Sequence, residues 1–336
     1  MTNEIQRRQK GRVTMTEISP LAIIQKIAKP LYSIIKVTGP FVLSQSKTAM
    51  SNYSDYKLDK ARLEAISTLL QEEAKNISED RAKLRDKMIN SVGIERARAE
   101  NDYRMLTQEL NKLSTIDKIK NFISDTDEIN NTNEISDTWI DKFNQLASSL
   151  NEEWRKQLLA KAFSIELKKP GTMSLIVLNC IASFDELSFR MFGALVNSSI
   201  RMSDVNFIPY FRNEPEFEIL EKKYRLTTII FYLEHLNLIK FNNGGYINPR
   251  GTQVFLRYGK RVLIISYPHS QEIPSAFQLE IHSFTMLGNS IAELCKRETN
   301  DFGNESLNNL MQDAINKRYT CSEQALSDQL YNELGD

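Results

Sequence analysis

The chain has 336 residues, and its 43 basic and 43 acidic side chains balance to a formal charge of zero. Hydrophobic residues make up 41% and charged residues 26%, enough apolar material for a sizeable core and too much for a disordered chain. This balance excludes a strongly basic nucleic-acid coat or an acidic tail protein, and the length suggests about two domains.

Residues 1–56 form the first segment. A basic start with Arg7, Arg8, Lys10 and Arg12 is followed by no small-residue cleavage site, so no secretory signal is expected. From Ile18 to Ser46 the chain is apolar, punctuated by Pro20, Pro30 and Pro40, and its only charges are Lys26, Lys29 and Lys36. A spanning helix needs about 18 to 20 uninterrupted apolar residues, so no transmembrane segment is expected here. Two roles stay open. The segment can pack on a long helix or a second subunit, or it can enter the headgroup boundary while Lys26, Lys29 and Lys36 attract anionic lipid.

Proline is missing from 41 to 169 and Gly93 is the only glycine there, which predicts long helices. In residues 57–120 the apolar positions Leu63, Ile66, Leu70, Ala74, Ile77, Leu84 and Met88 recur at helical steps. From Lys57 to Arg104, 11 basic and 10 acidic residues cover the other faces, as in a coiled coil or helical hairpin. Leu63, Ile66, Leu70, Ile77, Leu84 and Met88 are therefore expected to mate with another helix, giving self-association or an intramolecular hairpin. A solvated amphipathic helix on its own domain is the plain alternative. Residues 121–136 read as a polar linker.

Residues 137–205 read as a block of four short helices. Trp139, Phe143, Leu146 and Leu150 share one face, and Trp154, Leu158, Ala162 and Ile165 another. Lys168-Lys169-Pro170-Gly171 ends the second helix, Thr172 begins the third, and Ser183-Phe184-Asp185-Glu186 is a candidate capping box for the fourth. Residues 206–298 read as a small α+β module of winged-helix type. Phe217 to Leu238 can supply two helices, and hairpins are expected at 238–247 and 254–266. A further strand is expected at 277–284 and a helix at 287–295. Residues 299–336 read as a polar helical tail. The predicted fold class is mainly α.

The run from Asp141 through Leu150-Asn151-Glu152-Glu153-Trp154, Leu158-Leu159-Ala160, Glu166-Leu167-Lys168-Lys169-Pro170-Gly171-Thr172-Met173-Ser174, and Ser183-Phe184-Asp185-Glu186 to Phe192 resembles a bacterial family of unknown function, DUF2806. It is more distantly similar to the Abi-alpha family, whose name refers to abortive infection. The resemblance spans about residues 18 to 295 by its pattern of an apolar Pro-containing start, a charged helix and a Lys-Pro-Gly junction. It implies a bacterial protein in an anti-phage setting and supplies no catalytic residues.

The three cysteines, Cys180, Cys295 and Cys321, are odd in number and far apart, so neither a disulfide framework nor a zinc knuckle is expected and the compartment reads as reducing and cytoplasmic. Residues 235–271 contain no acid and five cations, Lys240, Arg250, Arg257, Lys260 and Arg261, interleaved with aromatics. These could neutralise phosphates, or be solvated cations on a structural sheet. The preceding helix offers no Arg or Lys, so nucleic-acid contact is possible but not favoured. Asp141 with Glu166-Leu167-Lys168 loosely follows a metal-nuclease pattern, but on a helix rather than a strand. Ser44-Gln45-Ser46-Lys47 has a Ser-x-x-Lys spacing without companions. His235, His269 and His282 are too scattered for a metal site. The reading is a non-enzymatic interaction protein of a defence system, with no catalytic residue, metal or cofactor. It is expected to form a homo-oligomer or bind a protein partner, with peripheral contact at the inner membrane possible in principle. A winged-helix nucleic-acid regulator is the alternative, and a nuclease the third choice.

Overall fold

A computed structural model describes residues 33–34, 37, 60–124, 127, 135–209, 214–241, 246–247, 253–266 and 279–334. The chain is mainly helical with an antiparallel sheet. It divides into two compact units, Met1–Ile140 with Glu166–Pro170, and Asp141–Ile165 with Gly171–Asp336.

In the first unit, α1 (Lys60–Asn90) and α2 (Gly93–Asp117) form an antiparallel hairpin that ends in a 3-10 turn, Lys118–Phe122. At 1.5 Å per residue, the 31 residues of α1 extend about 46 Å. The break comes at Val92, which is extended, and Gly93, whose φ of 61° is left-handed, so the chain reverses in two residues. The predicted stripe is answered by the same chain. Leu63, Ile66, Leu70 and Ile77 are buried, as are Leu113, Ile116 and Ile119 on the returning side, while Leu84 and Met88 are half-buried. Of the proline-punctuated segment, Ile34 and Val37 are described and both are buried. Ile34 lines a small cavity with Leu63, Ile66, Leu70, Ile116 and Ile119, so this part of the segment packs on the hairpin's base. There Lys120 donates to Ser67 at 2.5 Å and to Asp117 at 2.9 Å, tying the two helices together.

The second unit holds the helical block and the sheet; the division falls within α3 (Asp137–Ser149) and near the end of α4 (Glu153–Lys168). Phe143 and Phe163 pack with ring centroids 4.7 Å apart. The third helix, α5 (Leu175–Ser183), starts later than Thr172 because Ser174 is its cap, accepting from the Val177 amide. The fourth, α6 (Glu186–Ser198), is capped by Asp185, which accepts from Ser188 at 2.6 Å. Ser183 instead closes α5, donating to the Asn179 carbonyl. The cap of α6 therefore lies two residues later than predicted, with a carboxylate as the stronger acceptor.

The strands are β1 (Ile200–Met202), β2 (Val205–Pro209), β3 (Glu216–Ile219), β4 (Lys222–Arg225), β5 (Ile239–Lys240), β6 (Tyr246–Ile247), β7 (Gln253–Tyr258), β8 (Arg261–Ser266), β9 (Leu279–Phe284) and β10 (Thr320–Ala325). Eight of them, among the described residues, form one antiparallel sheet in the order β10-β8-β7-β1-β2-β9-β5, with β6 also on β9. The sheet therefore takes in β1, from the predicted helical block, and β10, from the predicted helical tail. Two further expectations change. Residues 216–225 form a β3–β4 hairpin rather than helix, because Leu220 and Glu221 are left-handed (φ 50° and 63°) and close a two-residue turn. The next helix, α7, is only Leu226–Glu234. The expected β5–β6 hairpin is not what these strands form; Ile239 and Lys240 pair with Phe284 and Ser283, and Tyr246 and Ile247 with Glu280 and Leu279, so both pair with β9. The expected β7–β8 hairpin is present, Val254 opposite Ile265 and Arg257 opposite Val262. After α8 (Met286–Ala292), helix α9 (Asp301–Asn316) covers one sheet face. Its Leu307, Leu310 and Ala314 pack on Ile200, Phe207, Val254, Leu256, Leu263 and Ile265. The chain then adds β10 and α10 (Asp328–Leu334).

Candidate functional site

Three arginines from distant parts of the sequence meet in the second unit. The β1–β7 register sets Arg201 directly opposite Arg257. Opposite residues in an antiparallel pair share a face, and like charges placed so are destabilising unless something compensates them. Arg297 comes from the loop between α8 and α9 and joins them in one solvent-open pocket, which Asn197, Ser199 and Tyr258 also line. The pocket is small, with a cavity volume of about 30 Å³, and opens to solvent.

Glu293 compensates part of the charge. Its Oε1 accepts from Arg201 Nη2 at 2.5 Å and lies 3.9 Å from Arg297 Nη2, an ion pair too long for a hydrogen bond. Glu298 is at the rim and is paired with Lys296 at 3.1 Å. Arg297 is left in an unusual state, because its Nε and Nη2 are buried and have no hydrogen-bond partner. Burial first, and then the neighbouring Arg201 and Arg257 charges, push its guanidinium below the usual arginine range. A buried donor without an acceptor costs about 1 to 3 kcal/mol, more when charged.

Hydrogen bonds and close packing hold the pocket floor. Tyr258 Oη donates to the Asn197 carbonyl at 2.8 Å and accepts from the Asn300 amide at 2.6 Å. Asn300 caps α9, accepting from Gly303 at 2.8 Å. A Cβ on Gly303 would fall 2.1 Å from the Tyr258 ring, so only glycine lets α9 approach this closely. Chemically, the arrangement can receive a small anion, with guanidinium N–H groups as charge-assisted donors.

Of the five cations singled out in the sequence, four are described, and among these Arg257 alone belongs to this cluster. Arg261 holds Glu323 with two bonds, 2.7 and 3.0 Å, and also reaches Asn304 and Asn308. Lys260 pairs with Asp328 at 2.6 Å. These two cations fasten β10 and α10 to the sheet. Lys240 is exposed on β5, and Arg250 lies outside the described residues, as do Lys26, Lys29 and Lys36. Arg201 and Arg297 were not singled out, since no local pattern links them to Arg257.

The remaining chemical candidates separate. Glu166 is buried in a helix, and Lys168 pairs with Asp127 at 2.7 Å. Among the described residues no group of three or more His, Cys, Asp or Glu converges for a metal. Ser67 sits beside Lys120, but an ammonium committed to Asp117 has no lone pair with which to take the serine proton. Burial pushes the Cys180 thiol up to about 12 and Cys295 to about 11, so both are poor nucleophiles. His235 is edge-on to Tyr232, and His282 is stacked on Phe241 at 5.4 Å. His269 and Ser44 to Lys47 lie outside the described residues. No helix among the described residues is long and apolar enough to cross a membrane.

A family model described as "Protein of unknown function (DUF2806)" matches residues 97–308, more than half of the chain. No curated protein and no solved structure matches it.

Proposed function

We infer that this chain, which belongs to the DUF2806 family, is a non-enzymatic binding protein whose sheet unit captures a small phosphate-bearing ligand between Arg201, Arg257 and Arg297. The observation that carries this is Arg297, whose buried Nε and Nη2 lack an acceptor beside two further guanidiniums. Phosphate oxygens satisfy such donors with charge-assisted hydrogen bonds. Titration with inorganic pyrophosphate, followed by thermal unfolding, tests it. A ligand that binds only the folded state adds about 2.7 kcal/mol at a hundred times its Kd. A saturable rise in Tm is expected, absent in Arg297→Ala. No rise in the unaltered protein, or an equal rise in the variant, ends the reading.

The Abi-alpha resemblance supports a bacterial anti-phage setting for this binding. A plaque assay in a strain carrying the complete locus tests it, and unchanged plaquing across a broad phage panel counts against it. A winged-helix nucleic-acid surface over 240–261 has less support, since Lys260 and Arg261 already face Asp328 and Glu323.

A further inference from the structure

The α1–α2 hairpin is electrically polarised in a way its total charge conceals. Residues 81–98, around the bend, carry six basic and two acidic side chains: Arg81, Lys83, Arg85, Lys87, Arg96 and Arg98 against Asp86 and Glu95. The rest of the two helices, 60–80 and 99–117, carries five basic and nine acidic ones. The bend is thus four charges positive and the base four negative. Lys83 is paired with Asp80 at 2.8 Å and Arg81 lies over the Tyr103 ring at 5.6 Å. Arg85, Lys87, Arg96 and Arg98 are exposed and make no ion pair among the described residues.

Between these cations in the sequence the bend presents bare hydrocarbon. Ile89 is 73% exposed, Val92 86% and Ile94 68%, and only Asn90, Ser91 and Gly93 separate them. Val92 stands at the cap of α2 with no side-chain hydrogen bond there, so the position does no capping work that would explain an apolar residue. Large aliphatic side chains at the far end of a charged hairpin, with uncompensated cations behind them, match an interface between hydrocarbon and anionic headgroups. A protein groove would cover the apolar residues equally well, but it has no general need for four cations flanking them on both helices. The negative base adds orientation, since an anionic surface attracts one end of the hairpin and repels the other.

We propose that the hairpin bend is a membrane-docking tip: Ile89, Val92 and Ile94 enter the headgroup boundary of an anionic bilayer while Arg85, Lys87, Arg96 and Arg98 bind the lipid phosphates. This surface is independent of the arginine pocket and does not require that pocket to bind anything.

The full chain is mixed with vesicles of phosphatidylcholine and phosphatidylglycerol, and with vesicles of phosphatidylcholine alone, and sedimented. Expected is binding to the anionic vesicles only, weakening with added salt. Arg85→Gln with Lys87→Gln, Arg96→Gln and Arg98→Gln should weaken it by about fivefold for each cation removed. Ile89→Asn with Val92→Asn and Ile94→Asn should abolish it while leaving the helical circular dichroism and Tm unchanged. The proposal is overturned if the unaltered protein ignores anionic vesicles, or if the apolar triple variant binds as well as it does, which would assign binding to the segment 18–46. It is equally overturned if light scattering shows an oligomer that the triple variant reduces to a monomer without any vesicle binding, because the tip then meets a second copy.

Discussion

Arg297 and His282 show how burial turns single side chains into measurable properties. If Arg297 is kept for a ligand, its charge is a burden on the empty protein. Arg297→Met keeps an unbranched apolar stem and removes the unpartnered nitrogens, so the empty protein should gain about 1 kcal/mol or more in urea unfolding. An arginine with a purely structural role would give a loss instead. The same variant should show no pyrophosphate-dependent rise in Tm. His282 is a different case: burial holds its imidazole below the ordinary 6.5, so the unfolded chain takes the proton more readily. Between the lowered folded value and about 6.5 the unfolded state binds more protons, and stability rises with pH. Its contribution is complete above about pH 6.5 and fades as the pH falls through that window. Urea midpoints measured from neutral to mildly acidic pH should therefore decline, and His282→Gln should flatten the decline; an unchanged slope refutes the assignment. Neither property was legible in the sequence. Arg201, Arg257 and Arg297 are separated by 56 and 40 positions, and only a strand register and a loop path bring them together.

Whole elements were legible where a periodic pattern had local punctuation. The Pro-free stretch, the stripe from Leu63 and the single Gly93 mark the long helices α1 and α2 while leaving open what their stripe mates with, and the Lys168-to-Gly171 junction ends α4 as the residues suggest. The β3–β4 hairpin was not legible because its turn is written in the wrong residues. A two-residue turn with both φ values positive favours Asn-Gly, and here it is Leu220-Glu221. Both side chains carry the left-handed penalty, roughly 1 kcal/mol each for a residue with a Cβ. Leu220 is also 50% exposed, so it contributes little packing in return. Leu220→Asn with Glu221→Gly should raise stability by about 1 kcal/mol in equilibrium urea unfolding. A loss would mean that Leu220 is retained for a contact. Charge was misleading at this scale for a related reason. A near-even count over Lys57 to Arg104 describes an averaged helix, whereas the bend at Gly93 gathers cations at one end and leaves acids at the other.

At the scale of the molecule, sequence similarity and structural closure follow different boundaries. The family match begins at residue 97, inside α2, and ends at 308, inside α9. It leaves out α1, whose Leu63, Ile66 and Leu70 belong to the first unit's core, and β10, which pairs with β8 along six residues from Thr320 opposite Ser266 to Ala325 opposite Arg261. β10 itself is polar and mostly exposed, so no hydrophobic alternation announces it. What holds it is long-range: the ladder, the Arg261–Glu323 pair and the Leu326 amide on the Lys260 carbonyl at 2.8 Å. Such contacts close loops of more than fifty residues, and their entropy is invisible to any short window. A chain limited to residues 97–308 should therefore be defective at both ends. Its α2 would expose Leu113 and Ile116, and β8 would present an unpaired edge carrying Ile264 and Ile265, a template for other chains. Size-exclusion chromatography should show that fragment eluting as aggregate, with fast amide exchange along Arg261–Ser266. Removing only residues 317–336 should isolate the second defect, with fast exchange in β8 while α1 and α2 stay protected. A monodisperse 97–308 fragment with a protected β8 would show instead that the matched region closes its own sheet, and that β10 is an addition laid on a finished edge.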